Sequence, residues 1–253
     1  RAVLGTNNVD HCARLCHSAS VVGLGASFGS GAMTNPANEL EDSNCILISG
    51  TNTTEDHPLV ARYIMRAKAK GAKIIVVDPR TIPLAHFADF HLRQRPGTDV
   101  AWINGFMNVI INEGLEDKKF IEERTEGYEE MVKTVSKYSP EYVEAITGIP
   151  KERLIEAART YAKADSASIV YSMGITQHTT GVDNVKSMAN LALLTGNVGK
   201  PSTGVNPLRG QVNVQGACDL GALPNVYSGY QAVIDEKIRV KFETAWKTKL
   251  PSK

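Results

Sequence analysis

The sequence predicts an α/β fold with a parallel sheet, and three observations carry that reading. Cys45-Ile46-Leu47-Ile48-Ser49 is a short apolar run that stops at Gly50, the pattern of a strand buried on both faces. A helical stretch with its own start and stop signals follows, and then a second apolar run, Lys73-Ile74-Ile75-Val76-Val77, ends at Asp78-Pro79. A third run, Ser168-Ile169-Val170-Tyr171, lies between further helical stretches. Strands that alternate with helices in this way belong to a sheet whose crossovers are helical, parallel and right-handed.

Each element has a local reason. Pro58 suits the first helical turn, and Leu59, Val60, Tyr63, Ile64 and Ala67 then share one face. Arg66, Lys68 and Lys70 complement the dipole at the far end, where Gly71 can stop the helix. Asp99 reads as a cap for a helix burying Val100, Ile103, Met107, Ile110 and Ile111. Ser139-Pro140 and Ile149-Pro150 read as two more helix starts, and a further helix is expected from about Val182 to Thr195, closed by Gly196. From Gly196 to Gly229 seven glycines and three prolines predict a long irregular stretch, a texture that usually serves function. A last helix is expected around Val240–Trp246.

Composition narrows the function classes. The 253 residues allow one large domain or two small ones, and 42% hydrophobic with 22% charged residues is ordinary for a globular chain. A chain of this size buries roughly 70–75% of its unfolded surface without disulfides or structural zinc. Disordered, collagenous and disulfide-scaffold classes are excluded. Lys and Arg number 28 against 27 acids, so no basic excess suggests nucleic acid as a partner. No apolar run approaches the ~20 residues of a membrane span, which predicts no membrane insertion. Four cysteines fit a reducing compartment, and a cytoplasmic location is expected. The chain begins at Arg1 and ends at Lys253 without terminal signals, so it is expected to be a piece of something longer.

In an open parallel sheet ligands bind beyond the carboxyl ends of the strands. The loop Thr51 to Glu55, the turn Asp78-Pro79-Arg80 and the segment Met173 to Gln177 should therefore share one rim. Asp78 could accept from a ribose hydroxyl or a guanine edge and Arg80 could meet phosphate; equally, the turn could be no more than a surface ion pair. No G-x-G-x-x-G and no Walker A motif is present, so neither an ordinary dinucleotide site nor a P-loop is supported. Cys12 and Cys16, flanked by His11 and His17, lack the second pair that a structural zinc site needs. Cys45 reads as a core residue, and Cys218 as either core or site. A Cys16–His17 nucleophilic dyad is disfavoured because adjacent side chains diverge, but Cys16 remains a candidate soft metal ligand. Arg209, within the glycine-rich stretch, offers a planar fork for a carboxylate or stands as a solvated loop arginine. His57, His86 and His91 look structural, and His178 follows the expected rim.

Several segments together resemble one family. Asn8-Val9-Asp10-His11-Cys12-Ala13-Arg14-Leu15-Cys16-His17 is similar to the active-site segment of catalytic subunits of formate dehydrogenases, within the molybdopterin bis-guanine dinucleotide oxidoreductases. The likeness continues through Gly31–Asn35, Ala72–Arg80, Arg124–Gly127, Leu194–Pro201 and Arg209–Asp219, nearly the whole chain in order. The resemblance implies a Rossmann-like three-layer unit at residues 12–211, with helices on both sheet faces and molybdopterin-dinucleotide binding as its task. Residues 1–11 and 212–253 would be pieces of an adjacent α/β domain.

It further implies Cys16 as ligand to molybdenum or tungsten, His17 as proton acceptor and Arg209 as the residue that orients formate. Asn52, Glu55, Asp78, Arg80, Gly97, Asp99, Met173, Gly174, Gln177 and Gln211 would line bis-molybdopterin guanine dinucleotide. The implied reaction takes formate to carbon dioxide, two electrons and a proton, with an electron-acceptor subunit or ferredoxin-like carrier as partner. A [4Fe–4S] cluster would belong to an N-terminal segment absent from this sequence, and these residues alone should be inactive. Nitrate- or thiosulfate-reductase-like chemistry, or a nucleotide-binding module without catalysis, are the competing readings.

Overall fold

The computed structural model describes residues 1–252; Lys253, the last residue of the expected tail, lies outside the described residues. The chain divides into two compact units, one of residues 19–208 and one of residues 1–18 with 209–253. The expected boundaries were 12 and 211, and the shift matters, because Cys16, His17 and Arg209 all fall in the smaller unit instead of the sheet-bearing one.

The elements run in chain order as α1 (Ala13–Cys16), α2 (Ser18–Phe28), β1 (Cys45–Ser49), α3 (Thr53–Asp56), α4 (Pro58–Ala69), β2 (Lys73–Val77) and β3 (Phe90–Leu92). Then come α5 (Asp99–Asn112), α6 (Lys118–Arg124), α7 (Tyr128–Val135), α8 (Pro140–Thr147), α9 (Lys151–Ala162), β4 (Ala167–Tyr171), α10 (Met173–Thr176), α11 (Gly181–Leu194) and β5 (Gly204–Pro207). The chain closes with α12 (Val214–Asp219), β6 (Val226–Tyr227), β7 (Gln231–Ala232) and α13 (Glu236–Trp246).

In the larger unit five strands form one sheet in the order β3-β2-β1-β4-β5, and every neighbouring pair is parallel. The α/β expectation is met. Strand order turns outward in opposite directions from β1, and the gap between β1 and β4 is the switch point where such sheets leave a crevice. Alternation along each strand feeds two cores. Cys45, Leu47, Ile75, Val77, Ile169 and Tyr171 pack one face with Trp102, Phe106, Tyr161 and residues of α11. Ile46, Ile48, Ile74, Val76 and Val170 pack the other with Ile64 and Ala67 of α4 and with Leu40 and Leu84. Strands buried on both faces are why their sequences read as continuous apolar runs.

Two strands of this sheet differ from the sequence expectation, as do the two-residue β6 and β7. β5 lies inside the stretch read as irregular, and of Gly204-Val205-Asn206-Pro207 only Val205 is a good strand former. Its pairing with β4 fixes it, and the terminal Pro207 is tolerated on an edge strand, where a missing N–H costs no ladder bond. β3 spans only three residues and offers too little periodicity to be recognised. Asp99 is not the cap of α5: Thr98 holds that position and Asp99 is the first helical residue, which frees its carboxylate for the interactions described below.

The smaller unit has its own apolar clusters. Tyr227, Val233, Phe242 and Leu250 form one, with Phe242 and Trp246 ring centroids 4.9 Å apart. Ala13, Val214 and Cys218 form another, joining α1 to α12. Among the described residues no helix is long and apolar enough to cross a membrane.

Candidate functional site

In the larger unit a crevice of about 340 Å³ opens at the carboxyl ends of β1, β2 and β4. Gly50, Thr51 and Asn52 come from β1, Asp78, Pro79 and Arg80 from β2, and Ser172, Met173 and Gly174 from β4. The rim drawn from the sequence is therefore assembled as expected. Asp56 at the end of α3, Gln94 and Pro96 after β3, Asp99 on α5 and His178 complete the lining.

Hydrogen bonds set which atoms remain available. Asp99 is buried, and its Oδ1 accepts from Trp102 Nε1 at 3.2 Å and from Gln94 Nε2 at 3.3 Å. Burial pushes the Asp99 carboxyl above its usual range, against the pull of Trp102, His178 and Gln94. His178 Nε2 lies 2.9 Å from the Gly174 carbonyl and 3.8 Å from Asp99 Oδ2. Gln94 donates an amide N–H to Asp99; its buried Oε1 makes no hydrogen bond, and neither does the buried Thr51 Oγ1. Buried acceptors left open in this way are expensive and call for a donor from outside the chain. Asp78 Oδ1 accepts from the Arg80 backbone N–H at 2.8 Å, with Arg80 Nε 3.7 Å away and its side chain 69% exposed. The turn is thus an ion pair and part of the crevice wall at once.

Of the residues proposed from the sequence, Asn52, Asp78, Arg80, Asp99, Met173 and Gly174 come together here. Glu55, Gly97 and Gln177 are exposed and do not line the crevice. Gln94 and Ser172 were not singled out. Gln94 had a usable signal, because recognising Phe90–Leu92 as a strand places it on the same rim.

The smaller unit carries Cys16, His17, Arg209 and Gln211. Cys16 closes α1 and is buried, as is His17, whereas Gln211 is exposed. Burial raises the Cys16 thiol above its ordinary value; the Gly210 backbone N–H, donating to the sulfur, and the positive charge of Arg209 pull it back. Arg209-Gly210 thus approaches Cys16 across the sequence. Beside them Cys218 Sγ lies 3.4 Å from His11 Nε2 and hydrogen-bonds the phenol of Tyr230. That phenol is pushed up to about 12, by burial first and by Cys218 and Asp219 next. All four cysteines are free, and Cys12 is the exposed one. Among the described residues no group of three or more His, Cys, Asp or Glu side chains converges on a metal position. A metal held at Cys16 would thus take a single soft ligand from this chain and its remaining ligands from a cofactor.

The molybdopterin oxidoreductase family model matches residues 1–250. This chain belongs to that family. It is 59% identical over 248 residues, 98% of its length, to the F420-dependent formate dehydrogenase 1 subunit alpha of Methanococcus maripaludis, of which it covers 36%. It is 52% identical over 246 residues, 97% of its length, to formate dehydrogenase H of Escherichia coli, of which it covers 34%. The chain thus spans about a third of the length of these curated relatives. Among solved structures, acetylene hydratase from Pelobacter acetylenicus superposes with a TM-score of 0.71 at 30% identity, covering 77% of this chain and 26% of that one. The fold and the family are the ones the sequence pointed to.

Proposed function

We propose that this chain is the central part of a formate dehydrogenase catalytic subunit, oxidising formate to carbon dioxide at a molybdenum or tungsten bis-molybdopterin guanine dinucleotide centre. The observation that carries the reading is the buried Cys16 sulfur, which accepts from Gly210 N–H beside the Arg209 guanidinium. Relatives named formate dehydrogenases, 52% to 59% identical, support it. The two units take different tasks.

The crevice fits the nucleotide end of the cofactor. Its open acceptors, Gln94 Oε1 and Thr51 Oγ1, stand with the Asp99 carboxylate against a ligand rich in donors. Guanine offers two adjacent donor groups on one edge, which a carboxylate can accept together, whereas adenine offers fewer. This supports the guanine form, with Asp99 reading the base and Arg80 available for phosphate. Asp99→Asn is expected to weaken GMP binding to the cofactor-free protein by roughly ten- to hundredfold. AMP binding, measured in the same calorimeter, should barely change. Equal GMP affinity in the two proteins removes Asp99 from this role.

When bound, the metal–pterin group supplies the two-electron acceptor. The chain's own residues do the rest. Cys16 offers one thiolate ligand, and the Gly210 N–H orients and stabilises that thiolate. Arg209 presents two parallel N–H donors to the carboxylate of formate and fixes its orientation. As formate gives up two electrons, its proton must leave, and His17, buried next to Cys16 in sequence, is the base that takes it. Electrons then pass to an acceptor subunit or carrier; because three relatives are named F420-dependent, an F420-linked acceptor is the first to assay. The [4Fe–4S] cluster belongs, in this reading, to sequence outside these 253 residues.

Replacing Arg209 with Lys in the full-length protein keeps the charge but removes the fork. KM for formate should rise by about tenfold or more, with metal content unchanged. A KM within twofold of the parent's speaks for a different substrate, such as nitrate or thiosulfate.

A further inference from the structure

Away from the crevice, the larger unit holds a second cavity of about 670 Å³ along α6 and α7, within the size range of ligand sites. Its walls are acidic. Glu116, Glu122, Glu126, Glu129 and Glu130 line it, against Lys118 and Lys133. Acidic walls alone would be a solvated surface, but Glu116 is different. Its side chain is only 6% exposed, and its Oε2 is fully buried with no hydrogen bond. The nearest cation is Lys118, whose ammonium stands 3.6 Å from the other oxygen on a side chain that is 80% exposed. That loose and solvated contact leaves the inner oxygen uncompensated. Tyr128 registers the same field, since burial and the Glu116 carboxylate together raise its phenol. A carboxylate so deeply buried is costly unless a cation meets it.

The chemistry of that cation can be narrowed. No three metal-binding side chains converge among the described residues, which argues against a divalent ion. A guanidinium is less strongly hydrated than an ammonium, so at the outer oxygen it displaces Lys118 more readily than another lysine would. Next to the acidic cavity lies a smaller one of about 120 Å³, floored by Ile121, Met131, Leu193 and Leu194 and sharing Tyr128 with it. An apolar shelf beside a buried carboxylate suits an arginine that arrives with an apolar neighbour on a polypeptide. We propose that this groove is a docking site for an arginine side chain of a partner polypeptide, anchored on Glu116.

The test uses the full-length holoprotein and short capped peptides. Acetyl-Leu-Arg-amide should bind saturably by calorimetry, and acetyl-Leu-citrulline-amide, its neutral near-isostere, should not. Glu116→Gln keeps the shape and removes the charge; the arginine peptide should then bind about tenfold or more weakly, with the thermal midpoint of the protein held or raised. Met131→Ala trims the apolar shelf and should weaken the peptide while leaving agmatine unaffected. Three results overturn the proposal: equal binding of the citrulline peptide, no saturable binding of the arginine peptide, or unchanged affinity in Glu116→Gln. Agmatine binding as tightly as the peptide also overturns it, since the site would then be serving a free amine.

Discussion

Replacing Cys16 with Ala in the full-length protein is expected to abolish formate oxidation, while the metal, held by its remaining cofactor ligands, and GMP binding to the crevice survive. If Cys16 is the proposed ligand, the loss should exceed the roughly 10–100-fold that follows removal of an outer partner of a metal ligand. Cys16 is buried and capped by the Gly210 N–H, so nothing else in α1 can take its place: Cys12 is exposed at the start of the helix, and Leu15 points to solvent. Cys16→Ser is the sharper variant. It keeps the size and the hydrogen bond but exchanges a soft ligand for a hard one, so protein stability and metal content should hold while activity falls. Metal analysis and a formate assay read the two effects. Crevice and thiol belong to separate compact units, which is why nucleotide binding serves as the internal control. Full activity in Cys16→Ala would remove the cysteine from the mechanism and with it the formate reading built on it.

What the sequence made legible follows from where local chemistry decided the structure. β1, β2 and β4 are interior strands with mainly apolar residues, β1 stopped by Gly50 and β2 by Asp78, so their existence and parallel arrangement could be read directly. The rim followed from them, since a strand end fixes where the next residues stand. β3 and β5 are edge strands, and an edge strand is specified by the neighbour it pairs with more than by its own residues. Missing β3 hid Gln94, and with it a buried Oε1 in the crevice wall that makes no hydrogen bond. Asp99 was legible as a residue near the rim but not in its conformation: a cap and a first helical residue look alike in sequence, and the structure gives the cap to Thr98. The approach of Gly210 to Cys16 joins residues almost two hundred positions apart, and no local pattern encodes that contact. It became readable only through resemblance.

Gly50→Ala is expected to destabilise the protein by about 2–5 kcal/mol and to abolish the GMP binding proposed for the crevice. Two independent penalties add at this residue. Gly50 sits at φ +60, where an L side chain costs about 1–2 kcal/mol. A Cβ there would also stand 2.6 Å from the Gly174 carbonyl carbon, backbone that cannot swing aside, and such overpacking costs about 1–3 kcal/mol. The closeness is reciprocal, for a Cβ on Gly174 would meet the Gly50 Cα at 2.5 Å, and Gly174 N–H donates to the Gly50 carbonyl at 2.9 Å. The loops after β1 and β4 are thus pinned backbone to backbone at the switch point, and any side chain between them forces the crevice walls apart. Gly71 separates the two penalties. It has φ +101 but open space where a Cβ would go, so Gly71→Ala should show backbone strain alone and leave GMP binding intact. Chemical denaturation and nucleotide titration of both variants decide the matter. If Gly50→Ala costs no more than Gly71→Ala, the glycine serves its φ and not the contact; if it costs more and GMP is lost with it, the close approach of the two loops is what shapes the crevice.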